Sequence, residues 1–222
     1  MKKPRLSANL VFCCALCFVA VVVNIVLAVV YDYPLLDLLA SVTGILFIAF
    51  LAERSIISFA FGWINVVLYI IVCWQTKLFG EVIFYGIDFV IQIPAFFAWR
   101  KAMQQNKEEP LKVRSRKLKP IYYFVLPVGI GIFGFAYGLL LKIIGGEYYF
   151  IDAVSSGVTV VATLLQWWQF REQWIGWIFV YVVSIILWVM AGNILMIVMS
   201  AGCLLFTLKG FFEWWRNSKK VS

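Results

Sequence analysis

The chain has 222 residues, is 64% hydrophobic and carries a formal charge of +8 with no histidine. A soluble domain is only about half apolar, so this content, gathered in long runs, excludes a soluble core and describes a polytopic helical membrane protein. The excess of 19 Lys and Arg over 11 Asp and Glu does not describe a nucleic-acid binder either, because the charges sit at the ends of apolar runs and in one connecting segment.

Eight apolar runs are long enough, or nearly so, for the ~20 residues that cross a bilayer. They cover 9–31, 36–52, 56–75, 79–99, 121–141, 150–170, 174–191 and 194–215. The first follows Met-Lys-Lys-Pro-Arg. It exceeds the ~7–15-residue apolar region of a cleaved signal and is expected to remain as a membrane helix. Cys13, Cys14, Cys17, Cys73 and Cys203 all lie within such runs. Without histidine or a second cysteine pair they read as small buried hydrophobes rather than as a zinc site.

Within the third run, Asn65 and Tyr69 share a helical face. In the fourth, Glu81, Tyr85, Asp88 and Gln92 form one stripe at i, i+4, i+7 and i+11, with Asp88 at mid-run. A carboxylate at bilayer centre costs at least ~2.5 kcal/mol, so Asp88 is expected to face a cavity or a hydrogen-bonding partner such as Gln92 or Tyr85. The segment from Arg100 to Pro120 is the long polar connection, expected as a solvated basic linker beside anionic lipid. In the fifth run Gly129, Gly131 and Gly134 spell a G-x-G-x-x-G. No strand precedes it, so close helix packing, helped by Gly138, is the expectation.

The sixth run carries Ser155, Thr159, Thr163 and Gln166 on one face. The seventh carries Trp174, Trp177, Tyr181, Ser184 and Trp188 at i, i+3, i+7, i+10 and i+14. Large flat rings interrupted by hydroxyls can hold a flat, partly polar ligand by stacking and hydrogen bonds. The competing reading of Trp174 and Trp177 is an interfacial aromatic belt.

The chain also repeats. Slid by 116 positions, Phe96, Trp99 and Arg100 fall on Phe212, Trp215 and Arg216, and Val42-Thr43 on Val158-Thr159. Asp37 lies one position from Asp152, and Pro94 falls on Gly210, so both third helices carry a helix-weakening residue. Residues 36–100 and 150–216 thus read as two units of three helices joined by the single helix 121–141. This is a 3+1+3 core in which the extra helix makes the units parallel about an axis along the membrane normal, a transporter architecture. The expected domains are 1–35 (an additional N-terminal membrane helix), 36–100, 101–149 (linker and connecting helix) and 150–222. The positive-inside rule puts both termini and the basic linker in the cytoplasm, leaving Lys77 and Lys142 outside with Asp32, Asp37, Glu81, Glu147 and Asp152.

The run Glu172-Gln173-Trp174-Ile-Gly-Trp177-Ile, then Val-Val-Ser184-Ile-Ile-Leu-Trp188, resembles the Trp-x-x-Trp signature of the PnuC family of vitamin transporters. Phe61-Gly-Trp-Ile-Asn65-Val-Val-Leu-Tyr69, Lys77-Leu-Phe-Gly80-Glu81, Gln92 to Trp99 and Asp152-Ala-Val-Ser-Ser are similar to other parts of that family. The resemblance spans nearly all of 36–216. It implies a seven-helix core related to SWEET sugar transporters, a trimer in the bacterial inner membrane, and import of nicotinamide riboside, with relatives that carry thiamine or riboflavin. It further implies facilitated diffusion with trapping by a cytosolic kinase, and makes helix 9–31 an addition to the core. Tyr181 stands where the family often has Asn, Ala95-Phe96 where Gly-Trp is usual, and Tyr85 and Asp88 in a stretch usually less acidic.

The leading expectation is therefore a uniporter for a vitamin with a flat ring, with no cofactor. A cationic ring, as in nicotinamide riboside or thiamine, suits the tryptophan and tyrosine faces and Asp88; neutral riboflavin gives Asp88 no task. The polar groups of Asn65, Tyr85, Gln92, Thr159, Thr163, Ser184 and Gln166 would meet the amide and hydroxyls. A membrane enzyme lacks a catalytic cluster of Asp, His or Lys here, and a sensor subunit docking through the basic linker is the third class.

Overall fold

A computed structural model describes residues 8–106, 112–145 and 148–221, with side chains from 15 to 218. The expectations for Lys2, Lys3, Arg5, Cys13, Cys14, Glu147 and the C-terminal Ser222 fall outside these. Eight helices follow in order: α1 (Ala8–Val30), α2 (Leu35–Ala52), α3 (Ile57–Gln75), α4 (Phe79–Gln105), α5 (Tyr122–Ile143), α6 (Tyr149–Trp167), α7 (Gln173–Ala191) and α8 (Ile194–Val221). In hydrocarbon every backbone group must be satisfied within its own segment, which selects helices for such runs. Seven of them, α2 to α8, are long and apolar enough to cross a membrane; the apolar stretch described in α1, Ala15–Val30, is shorter.

The helix ends follow local chemistry. Pro34 stands at the N-cap of α2, where its missing N–H costs nothing. Gly192 closes α7 in the left-handed conformation, its N–H returning to Trp188 and Val189. Two helices outrun their expected ends. α4 continues through Pro94 and past Trp99 to Gln105, because Arg-Lys-Ala-Met-Gln-Gln is polar yet made of good helix formers. α8 continues to Val221. α6 instead stops short at Trp167, where Gln169 turns left-handed at φ 62°.

Six helices close a ring in which α2 packs on α3, α3 on α4, α4 on α6, α6 on α7, α7 on α8 and α8 on α2. α5 leans on the outside of α6, and α1 on α2 and α8. Gly134 and Gly138 let α5 approach α6, against Val154 and Phe150; Gly129 and Gly131 face open space. The polar residues of the helices are buried inside the ring, among apolar ones, and the outside is apolar. Asp88, Gln92, Ser155, Thr159, Thr163, Ser200 and Thr207 are buried, whereas Phe97, Phe124, Phe135 and Phe212 are exposed. That inversion suits lipid as the solvent.

Backbone features recur around this ring. Left-handed residues fall at Arg54 and Gln169, and again at Lys77 and Gly192. Asp37 and Asp152, and the buried Trp99 and Trp214, share the same separation of 115, one fewer than the expected slide. Each of these acids reaches the start of a helix in the opposite half. Asp152 accepts from the Gly80 and Glu81 N–H groups at 2.8 and 2.9 Å, where α4 begins. Asp37 accepts from Asn193 Nδ2 at 2.9 Å, just before α8.

The expected solvated linker is corrected by the structure: residues 112–118 are docked, not free. Val113 is fully buried, and its carbonyl accepts from Arg54 Nη1 at 2.9 Å. Arg116 exchanges backbone bonds with Gln169 and Arg171, both at 2.9 Å. The Ser115 N–H donates to Asn217 and the Leu118 N–H to Glu172. The α2–α3 and α6–α7 turns expose carbonyls and side-chain acceptors, and an irregular segment needs partners for its own N–H groups. Each supplies the other.

Candidate functional site

The α4 stripe points into the ring. Glu81, Asp88 and Gln92 are buried and Tyr85 half-buried. Asp88 bridges two helices: its Oδ2 accepts from Gln92 Nε2 at 2.6 Å, one turn along α4, and its Oδ1 accepts from Thr163 Oγ1 of α6 at 2.5 Å. Among the described residues it has no ion-pair partner. The other amide atom of Gln92, Oε1, is buried with no protein partner, close to Gly62 and the Phe47 ring. A Cβ at Gly62 would lie 2.7 Å from that oxygen and 3.0 Å from the Phe47 ring, so glycine lets the Gln92 side chain keep this position.

Aromatic side chains complete the interior. Tyr69 of α3 lies 4.6 Å from Tyr85 by ring centroids and meets Trp188 edge-on at 5.8 Å, accepting from Trp188 Nε1 at 3.0 Å. Trp177 and Tyr181 stack at 6.0 Å on α7, and Phe47 of α2 meets Trp177 edge-on at 6.1 Å. Ser184 is buried between these pairs along the helix. Asn65 is braced to α2, donating to the Ala40 carbonyl at 2.7 Å and to Thr43 Oγ1 at 3.4 Å.

Two expected site residues lie in a different layer. Trp174 is fully buried against Gly210 and Trp214, and Trp214 in turn contacts Trp99 at 6.0 Å. Gln166 reaches that layer too, through its backbone carbonyl, which accepts from Trp99 Nε1 at 2.9 Å, while its side-chain Oε1 is buried with no protein partner. Thr159 turns its hydroxyl back to the Ser155 carbonyl of its own helix at 3.0 Å. Asp88, Gln92 and Thr163 are thus brought together, with Tyr85, Tyr69 and Trp188 as one aromatic group and Trp177 and Tyr181 as another. Phe47, Ser200 and Thr207 were not anticipated. Ser200 and Thr207, seven apart and therefore on one face of α8, carried a readable signal.

The arrangement offers a mid-helix carboxylate at Asp88 and a second buried one at Glu81, an amide, hydroxyls and several ring faces. Among the described residues, no three of His, Cys, Asp and Glu group closely enough to hold a metal ion. It can recognise a flat, partly polar molecule and would favour one bearing positive charge.

Comparison with known proteins agrees in kind. Residues 34–216 match the family described as nicotinamide mononucleotide transporter. The nicotinamide riboside transporter PnuC of Neisseria mucosa is 29% identical over 191 residues, covering 82% of this chain and 73% of that one. The Haemophilus influenzae protein of the same name is 27% identical over 189 residues, covering 84% and 82%. A crystal structure of the vitamin B3 transporter PnuC superposes with a TM-score of 0.84 at 26% identity, over 95% of this chain and 93% of that one.

Proposed function

The chain belongs to the nicotinamide mononucleotide transporter family, and from that premise we propose that it carries nicotinamide riboside across the membrane by facilitated diffusion, with cytosolic phosphorylation trapping the product. One observation supports this above the rest: the buried Asp88 carboxylate, held by Gln92 and Thr163 and flanked by aromatic rings. A pyridinium ring with a carboxamide needs a counter-charge, ring faces and amide partners, and these are the groups present.

The transport reading rests on two triple-helix units, 36–100 and 150–216, related by a pseudo-two-fold axis along the membrane normal as in SWEET-like transporters. The closed ring, the recurring left-handed turns and the reciprocal Asp37 and Asp152 contacts support that reading. α1 would be an additional membrane helix, and the assembly a homotrimer. Among the described residues no chain of acids crosses the interior, which argues against proton coupling. Under the positive-inside rule the docked basic segment faces the cytoplasm, so a cysteine at the exposed Lys117 should react with an impermeant reagent only from that side.

Thiamine is the second reading, because Asp88 suits its ring cation as well. Calorimetric titration with nicotinamide riboside, thiamine and riboflavin separates them. Tightest binding of nicotinamide riboside is expected; preference for thiamine would transfer the assignment, and preference for neutral riboflavin would defeat the role given to Asp88.

A further inference from the structure

A groove of about 430 Å³ opens between α5, α6 and α7, on the side of α6 away from the ring interior. Its walls are apolar, from Leu126 and Ile130 on α5, Val158 and Leu165 on α6, and Ile175 and Phe179 on α7. We propose that this groove binds one acyl chain of an anionic phospholipid, whose phosphate is held by Lys117 and Lys119.

Its dimensions argue for a hydrocarbon chain. From Val154 to Leu165 the α6 wall alone runs ~16 Å at the helical rise. That is about half the ~30 Å hydrocarbon thickness, the depth of one leaflet. An extended acyl chain matches that length, and the charge at one end selects it as the occupant.

Charge sets the polar end. The groove begins at Leu118, Tyr122 and Tyr123, beside the docked basic segment. Arg116, Lys117 and Lys119 are all exposed there. One carboxylate, Glu172, also lines this end, but it is occupied. Its Oε1 accepts from Tyr123 Oη at 2.6 Å and Arg171 Nε at 3.1 Å, and its Oε2 from the Leu118 N–H at 3.1 Å. The charge left for an incoming headgroup is positive, as basic clusters beside a membrane helix require for anionic lipid. The docking of residues 112–118 is what holds those lysines at the mouth.

The test uses the purified full-length protein in detergent, titrated with phosphatidylglycerol or with phosphatidylcholine of the same acyl chains, reading Tm. Wild type should show a concentration-dependent rise that is larger for phosphatidylglycerol. Gly131→Phe places a ring in the groove from a position with nothing within 4 Å of an added Cβ, and should lose the rise with both lipids. Lys117→Glu with Lys119→Glu should lose the preference for phosphatidylglycerol while keeping a smaller response to both. Equal responses in wild type, or an undiminished response in Gly131→Phe, would overturn the proposal. Should Gly131→Phe fold poorly, wild type is labelled with a phosphatidylglycerol carrying a photoreactive acyl chain. Label on Leu126, Ile130, Val158 or Phe179 supports the site; label elsewhere, or a crosslink between two protomers through these residues, contradicts it.

Discussion

Replacing Asp88 by asparagine removes one charge from the ring interior and almost no volume. The new amide can be accommodated. The Thr163 hydroxyl still donates to the oxygen at 88, and Gln92, turned about its terminal bond, offers its unpartnered Oε1 to the new NH₂ group. Folding stability should therefore change by only about 1 kcal/mol. Ligand binding should change more. A unit charge at ~5 Å, in a buried site of effective dielectric ~20, interacts by about 3 kcal/mol. Desolvation of the cation offsets part of that, leaving ~1.5–3 kcal/mol, or roughly ten- to 150-fold in affinity. An uncharged ring of the same shape loses none of it. The assay is calorimetric titration of nicotinamide riboside and of its uncharged reduced form, in wild type and Asp88→Asn. The ratio of the two affinities should fall at least ten-fold in favour of the neutral form. An unchanged ratio in a folded variant would refute the cation role and leave Asp88 as a structural tie between α4 and α6.

Three further predictions concern the frame around the site. Trp188→Phe removes the indole donor to Tyr69 and should cost about 1–2 kcal/mol in detergent unfolding; adding Tyr69→Phe should cost less than the sum of the two single changes. Gly210→Ala should destabilise by about 1–3 kcal/mol, read as a lowered Tm, because the new methyl meets the buried Trp174 ring, which Trp214 backs. Burial pushes the Glu53 carboxyl up, but Lys209 and Lys112 outweigh it and hold it below its ordinary 4.5. Its stabilisation is therefore complete above about pH 4.5 and lost as pH falls through the depressed folded-state value, so wild-type Tm should drop more steeply than that of Glu53→Gln on acidification below that point.

The helices were legible because hydrocarbon leaves the backbone one answer, and the α4 stripe because a polar face is costly there unless it points inward. Thr163 as the partner of Asp88 was not legible, since which residues of α4 and α6 meet depends on tilt. The α7 face grouped Trp174 with Trp177 by period alone. From Trp174 to Trp188 that face rises ~21 Å, longer than one small ligand, so it crosses more than one layer. Trp174 falls in the Trp99 and Trp214 layer, while Trp177, Tyr181 and Trp188 face the polar interior. The docking of residues 112–118 left no pattern to read, because it is made mostly by backbone groups and the sequence there looks merely basic. The left-handed turns and the buried Trp99 and Trp214 recur at a spacing of 115 rather than 116, because the slide read from the sequence was set by aromatic identities near the ends of α4 and α8.

The proposed transport carries nicotinamide riboside through this protein down its own gradient. Uptake of labelled nicotinamide riboside into proteoliposomes holding only the purified protein tests it most directly, with and without a protonophore. Saturable entry that stops at equal concentrations inside and outside, and that ignores the protonophore, is the predicted result. Entry no faster than into protein-free liposomes, or accumulation above the external concentration that the protonophore abolishes, would contradict it.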